Sequence, residues 1–383
     1  MKKLQSKNFK LKYYINYMVI SALLVVFTTM TFTGGMTPSL QYLLEKMAIA
    51  MILAVSLSMV VGFLGELSLG HAGFMCVGAY IGGKIASIMV EHGVGGKDNL
   101  WIFLLAILAG GAAAALCGFL IGMPALRLKG DYLAIVTLAF GEIVKSLFIN
   151  SSEKTFGGAI GLTTPRFDRK YLFIIAFILL LATLAVLQNL IRSKHGRAIT
   201  AIRDSEIAAR ATGVNVTKYK LLVFIISAFF AGIAGVLYSY SNYNLQAAKF
   251  GFNYSIEILV MVVLGGMGSM NGSLIAASLI TYLNIKLATV LTGDLAVLQN
   301  MIYALILIIV VIFGNAPALR GFREKYNFKS IFGKLFRKKP NPAAERNDEG
   351  SWDRIPTKIK MDELLSVDVK STESVQDPDK GEK

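Results

Sequence analysis

The chain has 383 residues, 55% of them apolar and only 16% charged, with a formal net charge of +15. Soluble chains carry about a quarter charged residues, and a mean hydropathy of +0.58 leaves too little polar surface for a water-facing globule. Continuous apolar runs also exclude an outer-membrane barrel, whose strands alternate. The expected fold class is therefore an all-α polytopic membrane protein, a helical bundle of about ten membrane segments, some of them discontinuous. In such a protein, Lys and Arg mark loops kept in the cytoplasm and do not signal nucleic acid.

Seven runs contain no Asp, Glu, Lys or Arg: Tyr13–Leu44, Met47–Gly65, Trp101–Met123, Tyr171–Ile191, Leu221–Ala248, Ile258–Ile285 and Leu295–Leu319. Each approaches or exceeds the roughly 20 residues a spanning helix needs. A basic arm, residues 1–12 with Lys2, Lys3, Lys7, Lys10 and Lys12, precedes the first run. That run is too long for a signal-peptide core and has no small-residue cleavage site close behind it. It reads as a retained span ending near Gly34-Gly35, with Pro38 in the turn.

The third segment starts near Leu67 and runs past Lys84. The fifth starts at Tyr132 and carries Glu142 and Lys145, spaced i,i+3 so that they neutralise one another across one helix face. Two readings of the pair stay open: an anchor near the outer end of the span, or a pair facing protein or a water-filled cavity. Within Ile258–Ile285, four glycines between Gly265 and Gly272 would break the helix, and freed backbone at that depth must be buried or line a cavity. The break gives an even number of segments and places both termini in the cytoplasm. Basic residues agree, concentrating in the N-terminal arm, at Arg127 and Lys129, and between Arg192 and Lys220. The transmembrane domain is thus 13–319. Residues 320–383 form a charged cytoplasmic tail whose composition supports no core, and its basic first part, Arg320 to Lys339, suits anionic lipid headgroups.

Catalytic signals are missing from the sequence. It contains no G-x-x-x-x-G-K-[ST] and no H-E-x-x-H. His71, His92 and His195 lie far apart, and Cys76 and Cys117 fall inside apolar segments. No catalytic residue, no metal ligands and no cofactor bound by this chain are expected. The most informative polar loop is Arg192–Gly213. From Arg197 to Thr212 it reads as one helix with Ile199, Ile202 and Ala209 on one side and Gly213 as the stop. A connector lying on lipid headgroups and a docking helix for a cytoplasmic partner both fit.

Glu206-Ile-Ala208-Ala209-x-x-x-Gly213 resembles the EAA loop of ABC importer permeases, with Glu206 one place ahead of the usual Glu. The wider stretch, Gly-Arg-Ala-Ile-Thr-Ala-Ile-Arg-Asp-Ser-Glu-Ile-Ala-Ala (196–209) and Gly-Val-Asn-Val-Thr-Lys-Tyr-Lys-Leu-Leu (213–222), resembles the branched-chain amino acid ABC transporter permeases. Three more blocks follow in that family's order: Gly65-Glu-Leu-Ser-Leu-Gly-His-Ala-Gly-Phe74, Gly130 to Glu142, and Val262-Val-Leu-Gly-Gly-Met-Gly-Ser269. The resemblance covers roughly residues 40–316.

The resemblance implies a permease subunit of an ATP-driven importer of Leu, Ile or Val in a bacterial cytoplasmic membrane. Its partners would be a homologous permease, two cytoplasmic ATPases carrying the ATP and Mg, and an extracytoplasmic solute-binding protein. The loop becomes a cytoplasmic coupling helix, with Arg197, Ile202, Arg203, Asp204, Glu206, Ala208, Ala209 and Gly213 as the ATPase-coupling set. An importer of urea or short-chain amides is the nearest alternative. An ion channel or a membrane-embedded enzyme would need a filter or an acid–base cluster that the sequence does not signal. The route itself is expected where irregular, polar-capable backbone reaches depth. Ser68, Gly70, His71, Gly265, Gly266 and Ser269 are expected to line or support it near mid-membrane, tight helix packing being the other reading.

Overall fold

The computed structural model describes residues 2–93, 99–128, 130–165 and 167–290, together with Met301, Ala304, Leu305 and Ile308. Most of the run Leu295–Leu319 and the whole tail 320–383 lie outside the described residues, as does Lys129.

Helix α1 (Lys2–Phe32) ends just before Gly34, and α2 (Pro38–Ser58) follows. Thr37 caps α2 by accepting from the Leu40 amide, and Pro38 occupies the first turn, where its missing N–H costs nothing. The helix passes straight through Glu45 and Lys46, which separate the first two apolar runs. Glu45 is fully buried and accepts from the Ser241 hydroxyl at 3.0 Å. Lys46 sets its ammonium 3.8 Å from the centre of the Tyr238 ring, a cation–π contact that replaces part of its lost hydration. A π-helical turn, Met59–Leu64, extends α2 and stops at Gly65 in the left-handed conformation (φ 82°). The chain then runs without regular structure to Gly70, where α3 (His71–Glu91) begins.

Then come α4 (Leu100–Ala125), α5 (Asp131–Ile149), the short α6 (Glu153–Phe156), β1 (Leu162–Thr163) and α7 (Arg169–Arg192). The loop after α7 is two helices and not one: α8 (Lys194–Asp204) and α9 (Glu206–Ala211). Ser205 separates them with extended backbone, and its hydroxyl accepts from the Ala208 amide as the cap of α9. Helix α10 (Val216–Ser241), capped by Asn215, leads to β2 (Asn244–Leu245), a 3₁₀ turn (Ala247–Phe250), α11 (Phe252–Gly265) and α12 (Met270–Val290). The glycine break therefore separates α11 from α12, as the sequence suggests.

Seven helical segments among the described residues are long and apolar enough to cross a membrane. The protein is a polytopic all-α membrane protein with one addition. Strands β1 and β2 pair antiparallel, Leu162 with Leu245 and Thr163 with Asn244. These loop segments extend past the helix ends, where the backbone has lost its helical partners and pairs across loops instead.

The most enclosed span is α2, and the least enclosed are α4 and α12. Helix α3 lies against α10 in the same direction: Gly78 meets Gly232, Gly82 meets Val236 and Gly83 meets Ser239. A Cβ on Gly78 would stand 2.3 Å from the Gly232 oxygen, so this contact is backbone against backbone. Two ends of the bundle can then be named by what sits there: the α8–α9 end and the β1–β2 end.

Candidate functional site

The depth at which α3 begins organises everything else. The His71 ring nitrogen Nε2 lies 2.8 Å from the Ser56 hydroxyl of α2. The Ser56 carbonyl accepts from Ser227 at 2.6 Å, and Ser227 is near the middle of α10. So α3 starts beside the middle of α10 and rises toward the β1–β2 end.

Around that start the polar groups are closely matched. The Leu69 amide donates to the Thr137 hydroxyl of α5 at 3.0 Å, and the Ala72 amide donates to the Ser255 hydroxyl of α11 at 3.3 Å. A Cβ on Gly73 would stand 2.8 Å from the Gly141 Cα, which brings α5 hard against the first turn of α3. Ser68 is 1% exposed, and its hydroxyl has no hydrogen-bond partner among the described residues. Helix α11 also begins at this level. Its first amide, on Phe252, donates to Glu142 Oε1 at 2.8 Å, while the other Glu142 oxygen pairs with Lys145. Helices α3 and α11, the second only 14 residues long, thus start at one level and run in opposite directions, with both N-termini inside the bundle. The Glu142–Lys145 pair caps α11 there.

A second cluster lies at the α8–α9 end. Arg203 donates to the Gly62 carbonyl at 3.2 Å, reaching from α8 into the π-helical turn. A Cβ on Gly65 would stand 2.7 Å from the Arg203 side chain, and one on Gly62 would stand 2.5 Å from the Gly268 amide. Lys220, 3% exposed near the start of α10, donates to Glu66 at 2.5 Å and to Glu206 at 3.3 Å. Arg210 adds a second cation to Glu206 at 2.5 Å. Residues 65–66, far away in sequence, are held to α9 and α10 by one charge-assisted network.

Of the coupling set, Ile202 and Ala209 are buried against the body, while Arg197 and Ala208 are exposed. Asp204 pairs with Arg203 at the surface, and Glu206 joins the Lys220 network. Gly213 has φ 83°, the Gly213 amide donates to the Arg210 carbonyl, and the Val214 amide donates to Ala209. That is a Schellman stop, which requires a left-handed residue at Gly213. The six residues expected on the route divide between two levels. Ser68, Gly70 and His71 lie at the mid-depth junction. Gly265, Gly266 and Ser269 form the α11–α12 turn, packed on Gly62 at the α8–α9 end. The unstructured stretch 65–70 connects the two levels. Sequence reasoning missed Ser56, Thr137, Ser227 and Ser255, hydroxyls in apolar surroundings that no spacing marks. It also missed Lys220, whose signal was a cation placed directly against the start of an apolar run. Among the described residues, no group of three or more His, Cys, Asp or Glu gathers to hold a metal ion.

Residues 39–311 match the family described as branched-chain amino acid transport system / permease component. The high-affinity branched-chain amino acid transport system permease protein LivM of Salmonella typhimurium is 37% identical over 263 residues, 61% of this chain and 60% of that protein. The LivH permease of the same organism is 24% identical over 241 residues, 58% of this chain and 77% of LivH. The ribose import permease protein RbsC of Escherichia coli is 26% identical over 295 residues, 71% and 84% of the two chains. The chain thus spans about 60% of the length of its LivM relative. With the match running from α2 past α12, through both clusters, the chain belongs to the branched-chain amino acid transport permease family.

Proposed function

We propose that the chain is the LivM-type permease subunit of an ATP-driven importer of Leu, Ile and Val in a bacterial cytoplasmic membrane. It pairs with a homologous, LivH-like permease, and both termini lie in the cytoplasm. A solute-binding protein delivers the amino acid from outside. ATP and Mg act on two partner ATPases below the α8–α9 end, and this chain contributes no catalytic residue. The observation that carries the reading is the direct bond from a surface helix to broken backbone: Arg203 of α8 holds the Gly62 carbonyl of the π-helical turn.

A partner that pulls on α8–α9 acts through Arg203 and Lys220 on residues 62–70, whose far end is the mid-depth start of α3. Ile207 is 82% exposed and offers that partner an apolar contact at the surface. The route passes the Ser68–Gly70–His71 level, with Gly265, Gly266 and Ser269 supporting the moving segment from below. Coupling requires nucleotide and substrate to favour different global states. Gly213→Glu tests the reading, because a side chain at φ 83° strains the α9 stop. The variant inserts normally but loses ATPase co-purification and leucine uptake. Full uptake with bound ATPases would refute the coupling role.

A further inference from the structure

Helices α2 and α10 run antiparallel and are joined at three levels. At the α8–α9 end Glu66, just past α2, accepts from Lys220, whose second carboxylate is Glu206. Midway, the Ser56 carbonyl accepts from Ser227. Toward the β1–β2 end, α2 presents Glu45 and Lys46 to the last turn of α10. Glu45 accepts from Ser241, and the Lys46 ammonium lies over the Tyr238 ring. The two ends differ in how well their charges are bonded. Lys220 has two carboxylates. The Lys46 ammonium is buried with no acceptor, and Oε1 of Glu45 is buried with no donor, among the described residues. Lys46 sits among ring faces instead, 3.8 Å from the centre of Tyr238 and 5.2 Å from that of Tyr42. The Arg169 guanidinium also lies over the Tyr42 ring, 5.3 Å from its centre. Glu45 acts on Lys46 as a counter-charge, while Lys249 and Arg169 act on it with like sign.

We infer that Glu45 and Lys46 form an outer gate: they are under-bonded while the outer ends of α2 and α10 are together, and opening that end to water completes their hydrogen bonds. The inference takes its inside and outside from the transport reading above, with α8–α9 in the cytoplasm, and otherwise goes beyond it. Lys46 lies only about 12 Å along the helix axis from Pro38, at 1.5 Å per residue. Parting the two helix ends therefore wets it without dismantling the bundle. A charge buried without its hydrogen bonds is unfavourable, and ring faces offset only part of the lost hydration. The penalty falls on the closed state alone, because a hydrated ammonium and carboxylate have all their partners. Closed and open outer states are thereby brought near each other in free energy, where a partner or a nucleotide can shift the balance. The Lys220 network, with both carboxylates in place, gives the inner end no such bias.

The test uses the complete transporter, with Cys76 and Cys117 replaced by alanine. Gln41→Cys reports opening, because Gln41 is 6% exposed and lies one helical turn outside Glu45 on the same face. With both gate charges intact, a charged, membrane-impermeant thiol reagent added outside the cells labels this cysteine. The decisive variant combines Glu45→Gln with Lys46→Met. It removes both charges but keeps an acceptor for Ser241 and a flexible apolar chain against the Tyr238 ring. The purified transporter carrying it has a higher thermal midpoint, since neutral groups in place of under-bonded buried charges stabilise the closed form. In cells, labelling at position 41 and leucine import both fall about tenfold, as the open population shrinks. Each single variant strands one charge and lowers the midpoint, and the double variant restores it, which separates a coupled pair from two independent packing sites. No labelling with the charges intact overturns the inference, as does a lowered midpoint in the double variant, which would make the pair a fastener. Labelling or import at the unaltered rate in the double variant overturns it too. Labelling and the midpoint need no leucine, so a transporter that imports something else refutes the substrate assignment and leaves the gate testable.

Discussion

Where α3 meets α10, two glycine backbones touch; where α9 meets α10, one buried lysine holds two carboxylates. The first contact has no side chain to rearrange, and dispersion between close backbones falls off steeply with any separation. The second is made of long side chains that can exchange partners, with water or other charges as substitutes. A transporter needs both properties in different places. The glycine-packed α3–α10 pair is suited to move as one body, whereas α8–α9 is fastened by bonds that can be remade. The hydroxyl junction at the start of α3 lies between the two.

The contrast can be broken most forcefully at Gly78. Gly78→Leu would drive a side chain into the Gly232 backbone. Overpacking of a tight core costs about 3 kcal/mol, and with backbone as the obstacle we expect at least that. Recovery of monodisperse protein and its thermal midpoint read the result, and a normal midpoint would mean that the α3–α10 contact is soft. Lys220→Met comes next. It leaves Glu66 and Glu206 without their buried cation, a loss of about 3 kcal/mol. The effect should be local, seen as faster hydrogen exchange over 194–213 with the α3–α10 amides unchanged. Adding Glu66→Gln should return part of the protection. Global unfolding of Lys220→Met would erase the distinction between the two regions. The smallest effect is expected for Ser205→Ala, which removes the α9 cap at about 1 kcal/mol and should raise exchange in α9 alone. An equal rise in α8 would show that the two helices behave as one.

The sequence made the spans legible because charge-free runs and helix breakers such as Pro38 and Gly265 act locally. The stop at Gly213 was legible for the same reason. The α8–α9 split was less visible: the apolar spacing of Ile199, Ile202 and Ala209 is real, and all three are buried, but Ser205 restarts the helix between them. The β1–β2 pair left no pattern, since two-residue strands carry no alternation. Within the site, the resemblance located both glycine blocks, yet their separation in depth depends on which helices stop halfway. That is decided by tertiary partners such as Thr137, Ser255 and Glu142, supplied by segments far apart in the chain. The pairing of Glu142 with Lys145 was legible from their spacing, but its position beside the start of α3 was not.

The π-helical turn at Met59–Leu64 also holds a surplus residue. A turn of this kind completes the same rotation as an α-turn with one residue more. Deleting one residue there would return the segment to ordinary α-helix and leave the direction of Gly65 and Glu66 nearly unchanged. The surplus is absorbed locally, so such a deletion would disturb the Gly62 carbonyl that accepts from Arg203 more than the course of the chain beyond it.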